Sequence, residues 1–237
     1  MTGDSNATPH SPQTGSDWMS RRWESFAQTD AEFYIWTDVA KGDDFFASGK
    51  RDAERILELV APHLRRHSVA LEIGCGVGRL AIPISRGFDA LVAVDISPTM
   101  LGKLSTNCRS ASVDNIRPFL ARDRWEAEGP IGFAYSHIVF QHIPEWNAIV
   151  DYFRRVSGAL APDGVFYAQF DTRPRTLAYH VKTALPDPLL PRAMQRGVRR
   201  IRRSRESVHE LAGSCGLTLA SETGHNTTEN VFVFTRA

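Results

Sequence analysis

The chain has 237 residues, 42% of them hydrophobic and 23% charged, with a net charge of +1. It is long enough to bury a full core, and a near-neutral charge excludes attraction of the whole molecule to a polyanion. Cys75, Cys108 and Cys215 are odd in number and widely spaced, which excludes a disulfide framework or a zinc cluster and suits a reducing compartment. No apolar run approaches the ~20 residues that span a bilayer, and the N-terminus lacks the basic-then-apolar pattern of a signal peptide. The expectation is a cytoplasmic chain, with peripheral contact to a membrane left open.

Residues 1–16 are polar and rich in Ser, Thr, Pro and Gly; they cannot bury enough apolar surface to order themselves, so a disordered tail is expected. Residues 17–237 then read as one domain. Trp18, Trp23, Phe26, Phe33, Tyr34 and Trp36 crowd six aromatics into its start. The stretch 17–49 reads as a cap on the core or a lid over a site. Ala53, Ile56, Leu57, Val60 and Leu64 have helical spacing across 50–66. The run 69–74 suits a buried parallel strand. A helix carrying Leu80, Ile82 and Ile84, a strand at 90–95, a helix near 98–108 and an extended stretch near 116–121 follow. Next come a strand near 131–136, a helix over roughly 145–160, and a turn at Asp163-Gly164 into a strand at 165–170. The alternation predicts an α/β fold, a Rossmann-like doubly wound sheet that is mainly parallel. Residues 172–203, rich in Pro and Arg, interrupt it as a basic lid insertion. A helix at 204–216 with a serine N-cap and a Gly stop, and an antiparallel hairpin from 217–223 and 231–236, close the sheet.

The segment from Leu71 to Leu80 reads LEIGCGVGRL between a predicted strand and a predicted helix, where open α/β sheets bind ligands. Gly74, Gly76 and Gly78 let the backbone turn sharply and approach a ligand. The spacing is not the dinucleotide G-x-G-x-x-G: from Gly74 the last glycine falls on Arg79, and from Gly76 the tolerated Ala81 lacks the strand context. It is acid-x-G-x-G-x-G, with Glu72 as the acid. Asp95 ends the second strand, where a carboxylate can take both hydroxyls of a ribose; a helix N-cap is the alternative, though Ser97 fills that place better. Asp123 follows the third extended stretch, as an acceptor for an adenine amino group or as a surface turn residue.

LEIGCGVGRL, VAVDIS and the ARD segment, in this order and spacing, resemble the first three motifs of the class I S-adenosylmethionine (SAM)-dependent methyltransferases. The resemblance covers roughly residues 50–171, and is to the broad bacterial group that modifies small molecules and sugars. FYIWTD…FFASGK (33–50) also resembles a segment before the first motif of some members. The resemblance implies SAM as cofactor and S-adenosylhomocysteine (SAH) as product. It places Glu72, Gly74, Gly76 and Gly78 at the amino-acid end of SAM, Asp95 on the ribose, Ile96 and Met100 beside the adenine, and Asp123 at its edge. Tyr34 and Gly49 are expected to close over the cofactor.

Ser136, His137, Gln141 and His142 begin at the functional end of the fourth strand and form the expected rim. In related methyltransferases the histidine before Ile/Val-Pro often faces the acceptor. His142 is therefore the expected general base and His137 the second candidate, against the reading of both as hydrogen-bonded structural histidines. No N/D-P-P-Y/F sequence follows the strand, which disfavours amine methylation of nucleobases, and no Pro-Cys appears. The E-x-x-E-H metal pattern of some relatives lacks both carboxylates here, so no metal is expected. The expected reaction is O-methylation of a small hydroxylated acceptor, a sugar or glycoside first and a phenolic metabolite next. Met194, Val198 and Ile201 form one stripe in an arginine-rich helix predicted over 192–205. It reads as a solvated face, as a contact to anionic lipid or a lipid-linked substrate, or, least favoured, as a nucleic-acid contact. The alternatives are an RNA-directed methyltransferase using that helix, and a non-catalytic SAM-binding module.

Overall fold

The computed structural model describes residues 16–35, 43–190, 195 and 197–237. Residues 1–15 of the tail predicted at 1–16, Trp36, and Arg192, Met194 and Arg196 lie outside them, while Ser16 opens the first helix. Two helices come first, α1 (Ser16–Ile35), broken in backbone angle at Asp30, and α2 (Asp43–Val60). Alternation follows: β1 (Val69–Ile73), α3 (Ala81–Ser85), β2 (Ala90–Asp95), α4 (Pro98–Ser110), β3 (Ile116–Leu120), β4 (Ile131–Ser136), α5 (Trp146–Ala159) and β5 (Leu160–Phe170). The chain ends with α6 (Leu177–Ala184), α7 (Arg205–Ser214), β6 (Leu217–Thr223) and β7 (Asn230–Arg236).

The sheet order is β3-β2-β1-β4-β5-β7-β6. β1 to β5 run parallel, and β7 pairs antiparallel with both β5 and β6. Strand order therefore reverses between β1 and β4, the place where a crevice opens beyond the strand ends. Leu71, Ile73, Val92 and Val94 face α5 and α7 with Phe153 and Val208. Their neighbours Ala70, Leu91 and Ala93 face α2 and α3 with Ile56 and Ile84. Period-two alternation thus feeds two apolar layers, one on each side.

Local chemistry sets the element ends. The Ser97 hydroxyl accepts the Met100 N–H at the start of α4, with Pro98 in the first turn. Ser204 caps α7 in the same way, and Gly216 follows at φ +71°. At Asp163-Gly164 the structure has no separate turn: β5 runs through with an irregular register against β4.

The arginine-rich helix over 192–205 is a correction. Gly197 sits at φ +88°, a left-handed conformation that stops a helix. The Ile201 N–H donates to Gln141 O at 2.6 Å and the Arg203 N–H to Asp171 O at 2.9 Å, so these donors leave the segment. Arg202 forms an isolated bridge with Asp171. The helix of the insertion lies earlier, as α6, flanked by Pro174 and Pro186.

Gly49 is a packing glycine on α2: a Cβ there would stand 2.2 Å from the Arg79 carbonyl oxygen. Gly49→Ala is expected to cost about 1–3 kcal/mol through overpacking, with SAH affinity of the folded protein retained. Urea denaturation and titration with SAH check both, and an unchanged midpoint would contradict it.

Candidate active site

A cleft opens beyond the carboxyl ends of β1, β2 and β4, with about 900 Å³ of empty space, part of it open to solvent. Gly74, Gly76, Asp95, Ile96, Met100 and His142 line it, the sequence-predicted residues that the fold brings together. Helix α1 covers it with Met19, Trp23 and Ile35. That helix is pinned beside the cleft: the Ser97 hydroxyl donates to Glu24 at 2.6 Å, Ser20 donates to Ile96 O at 3.2 Å, and the Trp18 indole donates to Glu145 at 2.9 Å.

The glycine loop owes its path to residues without Cβ. Gly74, Gly76 and Gly78 all have positive φ. A Cβ on Gly74 would lie 2.4 Å from Val139 Cγ2, and one on Gly76 would lie 2.7 Å from Ile35. The Asp95 carboxylate holds this loop, accepting the Gly76 N–H and the Ser97 N–H, each at 2.9 Å. Burial raises its pKa to about 6, against the opposing pull of those backbone donors. Two carboxylate oxygens offer about four acceptor positions, so sites remain for two ribose hydroxyls. Beside Asp95, Ile96 and Met100 supply apolar surface for an adenine. The donor set and the Cβ-free cradle thus fit SAM.

The other sequence-predicted residues do not line this cleft. Glu72 is buried beneath the loop, where it accepts the Tyr135 hydroxyl at 3.0 Å, and burial pushes its pKa up to about 8. Gly78 packs toward Leu104. Asp123 accepts the Leu120 N–H at 2.9 Å, closing a turn. Ser136 donates to Ile73 O at 3.3 Å. His137 is buried with Nδ1 3.1 Å from Tyr167 Oη, and burial lowers its pKa to about 3. Tyr34 stacks on Phe26 at 3.9 Å between ring centroids.

His142 does line the cleft, edge-on to Trp23 at 6.2 Å between centroids. Burial first, and then the Arg200 charge, lower its pKa to about 4, so the ring is neutral at pH 7. Its Nδ1 is buried and has no hydrogen-bond partner among the described residues. Glu145, Tyr152, Ile138 and Val139 also line the cleft. Sequence reasoning missed all four, because they meet the loop only through the fold.

Ile138 has φ +59°, rare for a β-branched residue. Fully buried Gln169 supports it, accepting the Ile138 N–H at 2.6 Å and donating to Thr228 O at 2.9 Å. Such strain costs about 1–3 kcal/mol and persists only where its surroundings hold it. Gln169→Leu is expected to lose about 1–3 kcal/mol of stability by orphaning the Ile138 N–H, and to weaken SAH binding as Val139 shifts against Gly74. Chemical denaturation and calorimetry check this; both unchanged would contradict it.

The raised pKa of Asp95 gives a pH signature. Its carboxyl binds a proton in the folded chain up to about pH 6, against an ordinary 3.8 unfolded, so its contribution makes the free protein less stable as pH rises through that window. Ribose binding needs the ionised form, so SAH affinity is expected to fall as pH drops below about 6. Asp95→Asn is expected to weaken SAH at least ~10-fold at pH 7.5, by losing charge-assisted hydrogen bonds. Unchanged affinity in Asp95→Asn would contradict the ribose assignment.

Residues 45–221 match the family described as "Methyltransferase domain". No curated protein matches the sequence. Among solved structures, magnesium protoporphyrin IX methyltransferase from Synechocystis PCC 6803 with bound SAH aligns with a TM-score of 0.63 at 17% identity, over 92% of this chain and 99% of that one. A SAM-dependent methyltransferase from Clostridium acetobutylicum ATCC 824 aligns with a TM-score of 0.65 at 16% identity, over 91% and 99%. The CcbJ methyltransferase from Streptomyces caelestis aligns with a TM-score of 0.61 at 17% identity, over 91% and 99%. The motif order, the sheet reversal at β1 and β4, and these matches together place the chain in the class I SAM-dependent methyltransferase family.

Proposed function

We propose that the chain is a cytoplasmic O-methyltransferase for a small hydroxylated acceptor, a phenolic metabolite ahead of a sugar or glycoside, with His142 as general base. The observation that carries this reading is the His142 imidazole in the cleft lining, neutral at pH 7, the one sequence-predicted base that the fold brings beside Gly74 and Asp95. The ranking of acceptors departs from the sequence expectation. Around His142 the lining is Trp23, Ile138, Val139 and Ile143, with few polar groups to satisfy the many hydroxyls of a sugar. A conjugate acid near pKa 4 is also a weak base. It suits a phenol, which ionises near ~10, better than an alkyl hydroxyl.

Bound SAM supplies an electrophilic methyl group on a sulfonium sulfur. The residues of the chain have two tasks: holding the acceptor oxygen in line and receiving its proton. Alignment alone supplies up to ~7–11 kcal/mol, and the base adds roughly 10²–10⁴-fold. The acceptor hydroxyl would give its proton to the His142 imidazole while its oxygen takes the methyl group that bound SAM would supply. No general acid is needed, because the leaving thioether is neutral. Trp23 and the backbone of Val198 and Arg199 lie against the His142 ring, so α1 and the 197–203 segment exclude water from it.

A SAM-turnover assay across phenols, sugars and amines tests the reading. Phenol methylation is expected, and transfer confined to amines would contradict it. His142→Ala is expected to lower kcat by ~10²-fold or more with SAH affinity near wild type. Unchanged kcat would remove the base assignment.

A further inference from the structure

Residues 173–205 hold ten Arg and Lys against the single Asp187, a net charge of +9. The whole chain is +1, so the remainder carries −8. Within this segment α6 has no buried residue. Leu177 is 80% exposed, Val181 58%, Leu185 41% and Leu189 71%. The first three recur every four residues and form one outward stripe. On the inner side, the Arg202 guanidinium lies 4.5 Å over the Tyr179 ring and the Arg199 guanidinium donates to Thr183 O at 2.9 Å. Arginines therefore hold the helix from beneath.

Within the segment, Arg173 pairs with Asp171 and Arg205 with Glu222. Arg175, Lys182, Arg199 and Arg202 have no carboxylate partner among the described residues; Arg175 and Arg202 donate to main-chain carbonyls. Their positive charge stays available. An apolar helix face in water is costly unless something covers it. A cationic surround with a leucine face is the chemistry that inserts at the headgroup boundary of an anionic bilayer. No helix among the described residues is long and apolar enough to cross a membrane.

We propose that α6 and its arginine support form a docking surface for anionic lipid. The stripe Leu177, Val181 and Leu185 enters the headgroup layer, and Arg175, Lys182, Arg199 and Arg202 face lipid phosphates. The −8 remainder is repelled by the same surface, which fixes orientation. The proposal is independent of the acceptor's identity and of the His142 assignment. Because residues 198–201 lie against Gln141 and His142 in the turn after β4, the docked face adjoins the acceptor side of the cleft.

The test is flotation of the full chain with vesicles of phosphatidylcholine mixed with phosphatidylglycerol, against phosphatidylcholine alone. Binding is expected only with the anionic lipid, weakening as salt rises. Lys182→Glu is expected to weaken it about fivefold or more, and the double variant Leu177→Ser/Val181→Ser at least ~10-fold. Both variants change exposed side chains, and unchanged SAH binding confirms their folding. Absence of binding to anionic vesicles overturns the proposal. So does binding undiminished by the double variant, or binding to a short RNA without binding to vesicles.

Discussion

The Asp95 carboxylate is the contact on which the site depends. It accepts one N–H from the glycine loop and one from the start of α4, and so ties the two elements that cradle the cofactor. Burial makes that charge costly in the free chain. In the proposed site, ribose hydroxyls would supply donors that ease this cost, so binding would be favoured at the place where the empty fold is least comfortable. The same α4 start is gripped from the other side by Glu24 of α1, so the cap is fastened to the corner that Asp95 occupies.

A second constraint acts at the sheet reversal. Gly74 meets Val139 so closely that a Cβ has no room, and the turn bearing Val139 is held through the strained Ile138 by Gln169. Cofactor loop and acceptor rim therefore share one packed junction. A change on either side is felt on the other, which is why a buried amide on β5, outside every recognisable motif, bears on binding.

What could be read from the sequence was local. The strand–glycine–helix segment, the acid ending β2 and the cap at Ser97 depend on residues close in the chain, and these emerged at the expected positions. Glu145 and Tyr152 reach the cleft through contacts between distant elements, for which a single sequence carries no periodic signal. The stripe of Met194, Val198 and Ile201 misled because helical spacing also arises by chance in a short, arginine-rich run. Gly197 and the outward donors at 201 and 203 decided against it. α6 escaped notice because prolines flank it and no face of it is buried. Glu72 and Asp123 occupy the motif positions, yet their carboxylates accept the Tyr135 hydroxyl and the Leu120 N–H.

The central claim is that the β1–β4 crevice binds SAM with its ribose on Asp95 and its sulfur toward His142. A crystal structure with SAH tests it most directly. The account predicts both ribose hydroxyls within hydrogen-bond distance of the Asp95 carboxylate, adenine between Ile96 and Met100, and the sulfur facing the cavity that His142 lines. A nucleoside bound away from Asp95, or a sulfur pointing away from His142, would contradict it.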